Sequence, residues 1–321
     1  MLRCFLTLVS AALAAAFAAT PASAQDWPTR PVRIVFPLAA GGGGDVFTRA
    51  LADELQKAWG QPVLVENRPG GGQNIGARTC AEAAPDGYTI CVMSSEPAAY
   101  NQFLYKTIPY NPEKDFLPIS NLFFNTLALV VNSELKANSL NELIALARTQ
   151  PLSYATFSFP LTAFMEKLKK TENIDIVKVP YRGGGEVVNA ILGGTTPVAL
   201  LALSNMVPQI QSGRIRALAV VAKSRSPLFP EVPTLLEARP GEEWPTTWFG
   251  LFSPAGVPRP IAVKIAADVE RIVNDPAFRQ RVYTARAVEP AHERLDDFAN
   301  FIRNERKIAE RLVKESGEQP K

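Results

Sequence analysis

The 321-residue chain carries 34 basic and 31 acidic side chains, for a formal net charge of only +3. Charges of both signs are scattered along it, which excludes the concentrated basic surface typical of nucleic-acid-binding proteins. The single histidine, His292, precedes an acidic helix start and is interpreted as an exposed cap, which disfavours Ser-His-Asp hydrolysis and most zinc sites. The composition therefore favours a binding protein without a metal or cofactor over an enzyme.

The first 24 residues have the three parts of a secretory signal. Arg3 supplies the positive end, an apolar stretch follows, and Ala22-Ser23-Ala24 forms the small-residue pattern of a cleavage site. No later stretch is long and apolar enough to span a membrane. We therefore expect cleavage near Ala24-Gln25 and export of the mature chain.

Two cysteines, Cys80 and Cys91, remain after processing. In an oxidising compartment a disulfide between them is the natural expectation, and two buried free thiols are the alternative. A bridge that closes so short a loop stabilises a fold by roughly 3 kcal/mol in the chain-entropy description.

Three units of strand, glycine loop and helix follow along the chain, at residues 31–59, 63–84 and 176–192. Strands that alternate with helices at this spacing predict parallel α/β sheets. We expect a discontinuous first lobe of residues 25–123 and 241–321, with a helical tail, and a second lobe of residues 124–240. Two crossings, near Phe123 and Pro240, would join the lobes.

The first glycine loop opens a helix, where free N–H groups and the helix dipole favour an anion. Nucleotide motifs fail, because Gly44 is followed by Asp45-Val46 and no glycine occupies the sixth position of a dinucleotide fingerprint. Asp45 is expected to cap the helix and to repel a dianionic phosphate. That favours a singly charged carboxylate held by the N–H groups of residues 39–44, with a simple tight turn as the alternative.

Several segments are specific enough for comparison with a known family: "DWPTRPVRIVFPLAAGGGGDVFTRALADEL", "GQPVLVENRPGGGQNIGA", "AAPDGYTI", "VPYRGGGEVVNAILGG", "GRIRALAV" and "WFGLFSPAGVP". Together they resemble the periplasmic solute-binding receptors of tripartite tricarboxylate transporters, the Bug family. The resemblance runs in order over nearly the whole mature chain.

The resemblance implies a type II periplasmic-binding-protein fold, with two α/β lobes that close on a small organic carboxylate. It implies a monomer without catalysis or cofactor that delivers its ligand to a membrane permease of one large and one small subunit. The alternatives are presentation of the ligand to a periplasmic sensor kinase and a secreted enzyme on the same scaffold.

The resemblance also assigns ligand contacts. In the first lobe and at its edge they are Phe36, Pro37, Leu38, Ala39, Ala40, Gly41, Gly42, Gly43, Gly44, Asp45, Asn74, Ser94 and Ser95. Tyr181 and Arg182 match the aromatic and basic residues of the usual "VPYKG".

The second lobe departs from the family pattern. A longer Gly/Ser-rich loop is replaced by "TFSFPLTAF", and an apolar residue stands at the usual aspartate position. The candidate contacts here are Thr156, Phe157, Ser158, Phe159, Thr162 and Leu201. We therefore expect a ligand with one carboxylate and an apolar or aromatic body; alternatively, Phe157 and Phe159 only pack into the lobe.

Overall fold

The structure is a computed structural model, and it describes residues 27–222, 224–240 and 246–321. The predicted secretory signal and its cleavage site lie outside the described residues.

Eleven strands are found in the described residues, and they form two sheets. The strands are β1 (Val32–Phe36), β2 (Val63–Asn67), β3 (Thr89–Ser94), β4 (Phe116–Asn125), β5 (Leu127–Asn132), β6 (Leu152–Thr156), β7 (Ile176–Pro180), β8 (Val198–Ala202), β9 (Ile215–Val221), β10 (Trp248–Pro254) and β11 (Val288–Pro290). One sheet has the order β11-β4-β10-β3-β1-β2 and the other β7-β6-β8-β5-β9.

Helices cover both sheets. They are α1 (Gly43–Trp59), α2 (Asn74–Ala81), α3 (Asn101–Leu104), α4 (Leu140–Ala147), α5 (Phe159–Glu172), α6 (Gly184–Leu192), α7 (Val207–Gln211), α8 (Leu235–Ala238), α9 (Arg259–Asn274), α10 (Pro276–Phe278) and α11 (Leu295–Ser316). Buried apolar clusters lie on both faces of each sheet. The chain thus forms the two α/β lobes that the alternation of strands and helices predicts.

Both sheets are mixed rather than wholly parallel. β1 pairs in parallel with β2 and β3, so that Ile34 lies opposite Val65 and Ile90, and its apolar side chains are buried on both faces. β10 enters antiparallel between β3 and β4 because the chain returns to the first sheet from the second lobe. The sequence units predicted the parallel part, and the returning strand could only be placed by the fold.

The chain crosses between the sheets twice. β4 belongs to the six-stranded sheet as far as Asn125, and β5 of the other sheet begins at Leu127. The second crossing lies between β9 and β10. We therefore propose that the first lobe boundary lies at Thr126, slightly beyond the expected 123/124. We propose that the second lies close to the expected 240/241.

A buried disulfide joins Cys80 of α2 to Cys91 of β3 across a Cα distance of 6.2 Å. The predicted bridge is confirmed. It ties α2, which begins two residues after the second glycine loop (residues 70–72), to the strand that ends at Ser94.

The tail helix α11 contacts both lobes. Tyr100 of the first lobe, Phe159 of the second, and Ala309 and Val313 of α11 share one buried cluster. The Tyr100 and Phe159 rings are 5.8 Å apart. The tail therefore covers the first lobe, as expected, and also packs against α5 at the lobe interface.

Candidate ligand cleft

At one end of the cleft, the first glycine loop (residues 41–44) meets the third glycine loop (residues 183–185) of the other lobe. The Gly43 N–H donates to Asn205 Oδ1 across the interface at 2.8 Å. A Cβ placed on Gly183 would lie 3.6 Å from the Ala39 Cβ, and one on Gly185 would lie 3.5 Å from the Ala40 carbonyl oxygen. The backbones of the two lobes are therefore in van der Waals contact here.

Two positions at this contact have no room for a side chain. A Cβ on Gly43 would overlap Ser204, and a Cβ on Gly184 would overlap Asn205. Both glycines lie in the first turns of helices, so α1 and α6 begin at Gly43 and Gly184 and not after the glycines as the sequence suggested. The glycines were read as loop residues because the side chains that leave no room for a Cβ, those of Ser204 and Asn205, are distant from them in sequence.

Asp45, in the first turn of α1, is hydrogen-bonded to the first glycine loop. Its Oδ2 accepts from the Gly41 N–H at 3.0 Å and from Arg49 Nε at 3.1 Å, and its Oδ1 accepts from Asn67 Nδ2 at 2.9 Å. Burial alone would raise the pKa of Asp45, but the hydrogen bonds from Arg49, Gly41 and Asn67 together hold this pKa below its usual value.

The prediction that Asp45 caps the helix was wrong, because the N-cap residue is Gly42 and Asp45 lies in the first turn. Two of the loop's N–H groups, at Gly41 and Gly43, already have acceptors within the protein. The space beside them is a cavity of only about 30 Å³, walled in part by Phe36, Leu38 and Phe249. This end of the cleft is nearly filled by the chain itself.

A larger cavity of about 220 Å³ lies between the lobes at the second glycine loop. Its first-lobe wall comprises Gly72, Gln73, Glu96, Asn101, Leu104 and Tyr105. Its second-lobe wall comprises Thr156, Phe157, Ser158, Phe159, Thr162, Lys178, Pro180 and Tyr181, with Glu318 and Lys321 of the C-terminal segment completing the lining. Phe157 borders this cavity and the small one.

Glu96 and Gln73 form a polar group on the first-lobe wall. Ser94 Oγ lies 2.5 Å from Glu96 Oε2 and 2.7 Å from Gln73 Oε1, and Gln73 Nε2 donates to Glu96 Oε2 at 3.2 Å. Glu96 is only 6% exposed, and its Oε1 has no hydrogen-bond partner in the described part of the chain. Ser95 Oγ, directly behind Ser94, is buried and unpaired in the same way.

Three hydroxyls stand on the opposite wall. Thr156 Oγ1 and Thr162 Oγ1 are 3.0 Å apart, and Thr162 donates to the Ser158 carbonyl oxygen at 2.9 Å. Ser158 is the N-cap residue of α5, and its hydroxyl is buried without a partner among the described residues. Of the three predicted donors in this loop, Ser158 is thus the one with free hydrogen-bonding capacity.

The other predicted contacts are spread more widely. Asn74 Oδ1 accepts from Asn101 and from the Tyr110 hydroxyl, both at 2.7 Å. Asn101 also donates to the Gly72 carbonyl oxygen, so Asn74 stabilises the second loop through Asn101. Tyr181 lines the larger cavity and its hydroxyl lies 2.8 Å from Thr196 Oγ1.

Pro37, Arg182 and Leu201 are among the predicted contacts that line neither cavity. Arg182 is exposed, and its N–H donates to Glu186. Leu201, expected in the cleft, is instead fully buried in the core of the second sheet, because its position on β8 faces the inside of the lobe. Pro37 is buried against Gly76.

Sequence reasoning missed Gln73, Glu96, Lys178 and Asn205. The available signal for Glu96 was a carboxylate placed three residues after the apolar end of a buried strand, where α/β folds bind ligands. Asn205 likewise follows β8 closely.

Within the described ranges there is no cluster of three or more histidine, cysteine, aspartate or glutamate side chains that could hold a metal ion. Among the same residues no helix is long and apolar enough to cross a membrane.

Comparison with known proteins decides the family. The sequence model of the tripartite tricarboxylate transporter family receptors, TctC, matches residues 47–318. The chain belongs to this receptor family. BugT of Bordetella pertussis is 33% identical to this receptor over 317 residues, which cover 97% of each chain.

Solved structures support the same assignment. Rpa4515 of R. palustris, solved with adipate, matches the receptor with a TM-score of 0.87 and 28% identity, over 92% of this chain and 100% of that chain. MatC (Rpa3494) of Rhodopseudomonas palustris with bound malate matches with a TM-score of 0.81 and 29% identity, over 89% and 100%. The expected periplasmic-binding fold is confirmed, and the family is one of solute receptors rather than enzymes.

Proposed function

We propose that this receptor captures a small organic carboxylate between its lobes in the periplasm and delivers it to the membrane permease of a tripartite tricarboxylate transporter. The observation that carries the proposal is the 220 Å³ cavity, whose two walls come from different lobes. A ligand held there contacts both lobes and stabilises their closed arrangement. Relatives solved with adipate and malate support an organic acid as the ligand.

The ligand carboxylate is best placed at the second-lobe wall. The N-terminus of α5, a helix of 14 residues, lies at this wall with the unpaired Ser158 hydroxyl. Helix N-termini bind anions through free N–H groups and the helix dipole. Lys178, exposed at the rim, adds a positive charge that Glu318, at 3.9 Å, partly offsets. This position replaces the first glycine loop as our proposed carboxylate site, because that loop is occupied by Asn205.

The cavity favours a small ligand with a single carboxylate and an apolar body. Its volume lies below the roughly 300–1,000 Å³ of common ligand pockets. Leu104, Phe157 and Phe159 supply apolar walls, although Phe159 also packs on Tyr100. Such a pocket holds a ligand by apolar contact and orients it by few polar groups.

A thermal-shift screen over mono-, di- and tricarboxylates tests the binding proposal. A ligand at a hundredfold excess over its dissociation constant stabilises the folded state by about 2.7 kcal/mol, which raises the unfolding midpoint. If no organic acid in the screen shifts the midpoint, the receptor does not bind this class of ligand.

Delivery requires a separate test. The receptor, loaded with a radiolabelled acid from the screen, is added to vesicles that contain both permease subunits. We expect uptake only when receptor and permease are both present. Uptake at the same rate without the receptor would contradict the proposed partnership.

A further inference from the structure

Glu96 places a buried carboxylate in the first-lobe wall of the larger cavity. It lines the cavity with more than nine-tenths of its surface buried. Its neutral partners, Ser94 and Gln73, both contact Oε2 and leave Oε1 unpaired. A buried carboxylate oxygen without a donor is costly, and a donor supplied by a ligand would remove that cost.

The opposite wall has the complementary character. The α5 N-terminus and the Ser158 hydroxyl favour a negative group. Lys178, paired with Glu318 at 3.9 Å, stands at the rim of the same wall. A ligand that spans the cavity therefore meets an anion-binding wall on one side and an anion on the other. A second carboxylate directed at Glu96 would be repelled by it.

We infer that the receptor selects carboxylates that also carry an amino group, with the ammonium facing Glu96 and the carboxylate facing Ser158 and the start of α5. This inference rests on the proposed function and narrows its ligand class to small amino acids. Glu96 is the residue that sets the preference. A charge-assisted hydrogen bond from the ammonium to Oε1 completes the coordination that Ser94 and Gln73 leave unfinished.

Two matched ligand series test the inference by titration calorimetry. The first is leucine, 2-hydroxy-4-methylpentanoate and 4-methylpentanoate; the second is aspartate, malate and succinate. Within each series the ligands differ only in an amino, hydroxyl or hydrogen substituent on one carbon. We expect the amino member of at least one series to bind at least tenfold more tightly than its unsubstituted analogue.

The variant Glu96→Gln keeps the shape of the side chain and removes its charge. We expect it to lose at least tenfold in affinity for the amino member, and to bind the unsubstituted member as well as or better than the native protein does. Glu82→Gln, an exposed acid paired with Arg78 outside the cleft, is the matched control and should leave every affinity unchanged.

The outcomes separate this inference from the proposed function. If no member of either series and no acid in the wider screen binds, the proposed function fails. If unsubstituted acids bind as tightly as their amino analogues, or Glu96→Gln keeps the amino preference, the receptor function stands and the role of Glu96 is overturned. Should Glu96→Gln fail to fold, the ranking within the native series alone decides.

Discussion

Both ends of the cleft carry a glycine loop, but one end is closed by contact between the lobes and the other encloses a cavity. At the first-loop end, residues 39–45 and Asn205, glycines allow the backbones to touch and little space is left. At the second-loop end, Gly72, Gln73 and Glu96 facing Ser158, the walls stand apart and carry unpaired polar atoms. A glycine loop alone therefore does not locate a ligand; free hydrogen-bonding capacity beside open volume does.

The largest expected effect comes from removing the disulfide next to the second-loop end of the cleft. The double variant Cys80→Ala, Cys91→Ala removes the bridge that ties α2 to β3, and we expect the free energy of unfolding to fall by about 3 kcal/mol. Urea denaturation measures the loss, and reduction of the native protein is the matched control. Stability within 1 kcal/mol of native in both experiments would show that the bridge does not brace this end.

Gly43→Ala tests the first-loop end. The new Cβ would overlap Ser204, so we expect the lobes to separate there and the affinity for the screened acid to fall about tenfold, or about 1.4 kcal/mol. Gly185→Ala is the control, because its Cβ would meet the Ala40 carbonyl oxygen at an ordinary 3.5 Å. Adding Ser204→Gly should restore affinity; a Gly43→Ala protein that binds like Gly185→Ala would contradict the close contact.

Asn205→Ala removes the hydrogen bond between the lobes without adding volume. A neutral hydrogen bond contributes about 1 kcal/mol net, so we expect the affinity to fall roughly fivefold. The variant also loses the bond from Asn205 Nδ2 to the Ala202 carbonyl oxygen, so the second lobe should lose stability by a similar amount and the first lobe should not. Small-angle scattering should show a more open ligand-free protein. An unchanged scattering profile together with unchanged affinity would mean that the bond does not hold the lobes together.

The smallest effect concerns Asp45 and pH. Because its folded-state pKa lies below the unfolded value, Asp45 contributes stability above the unfolded pKa, and this contribution is lost as pH falls through the folded pKa. Asp45→Asn should cost about 1 kcal/mol at pH 7 and flatten the acid side of the stability curve. Denaturation between about pH 3 and pH 7 measures this, with exposed Asp53→Asn on the same helix as control. A curve parallel to that of the native protein would rule out this role for Asp45.

The sequence predicted the lobes because their signals are local. An apolar run such as β1, followed by glycines and a helical pattern, indicates its own strand and helix, and a short cysteine spacing indicates the bridge. Ser158 and Tyr181, both predicted to contact the ligand, line the larger cavity, and their contact with a ligand stays a prediction.

The sequence could not predict which hydrogen bonds are already made. The Gly43 to Asn205 bond joins residues 162 positions apart. The Thr156 hydroxyl is hydrogen-bonded to Thr162 whereas the Ser158 hydroxyl is unpaired, and nothing in the local sequence distinguishes these two cases. Leu201 was assigned to the cleft because it stands at the family's aspartate position, whereas its place on β8 directs its side chain into the core.

The Asn205 amide has a consequence for the energetics of closure. Because the bond to Gly43 joins atoms of the protein itself, it favours the closed conformer before a solute contributes anything. A binding-competent conformer that is already well populated raises the apparent affinity for solute by the same factor. The cost is a smaller contrast between the empty and the loaded receptor. In the proposed delivery, a permease that avoids empty receptors would therefore have to read the cavity rim, where Lys178, Lys321 and Glu318 lie, rather than closure alone.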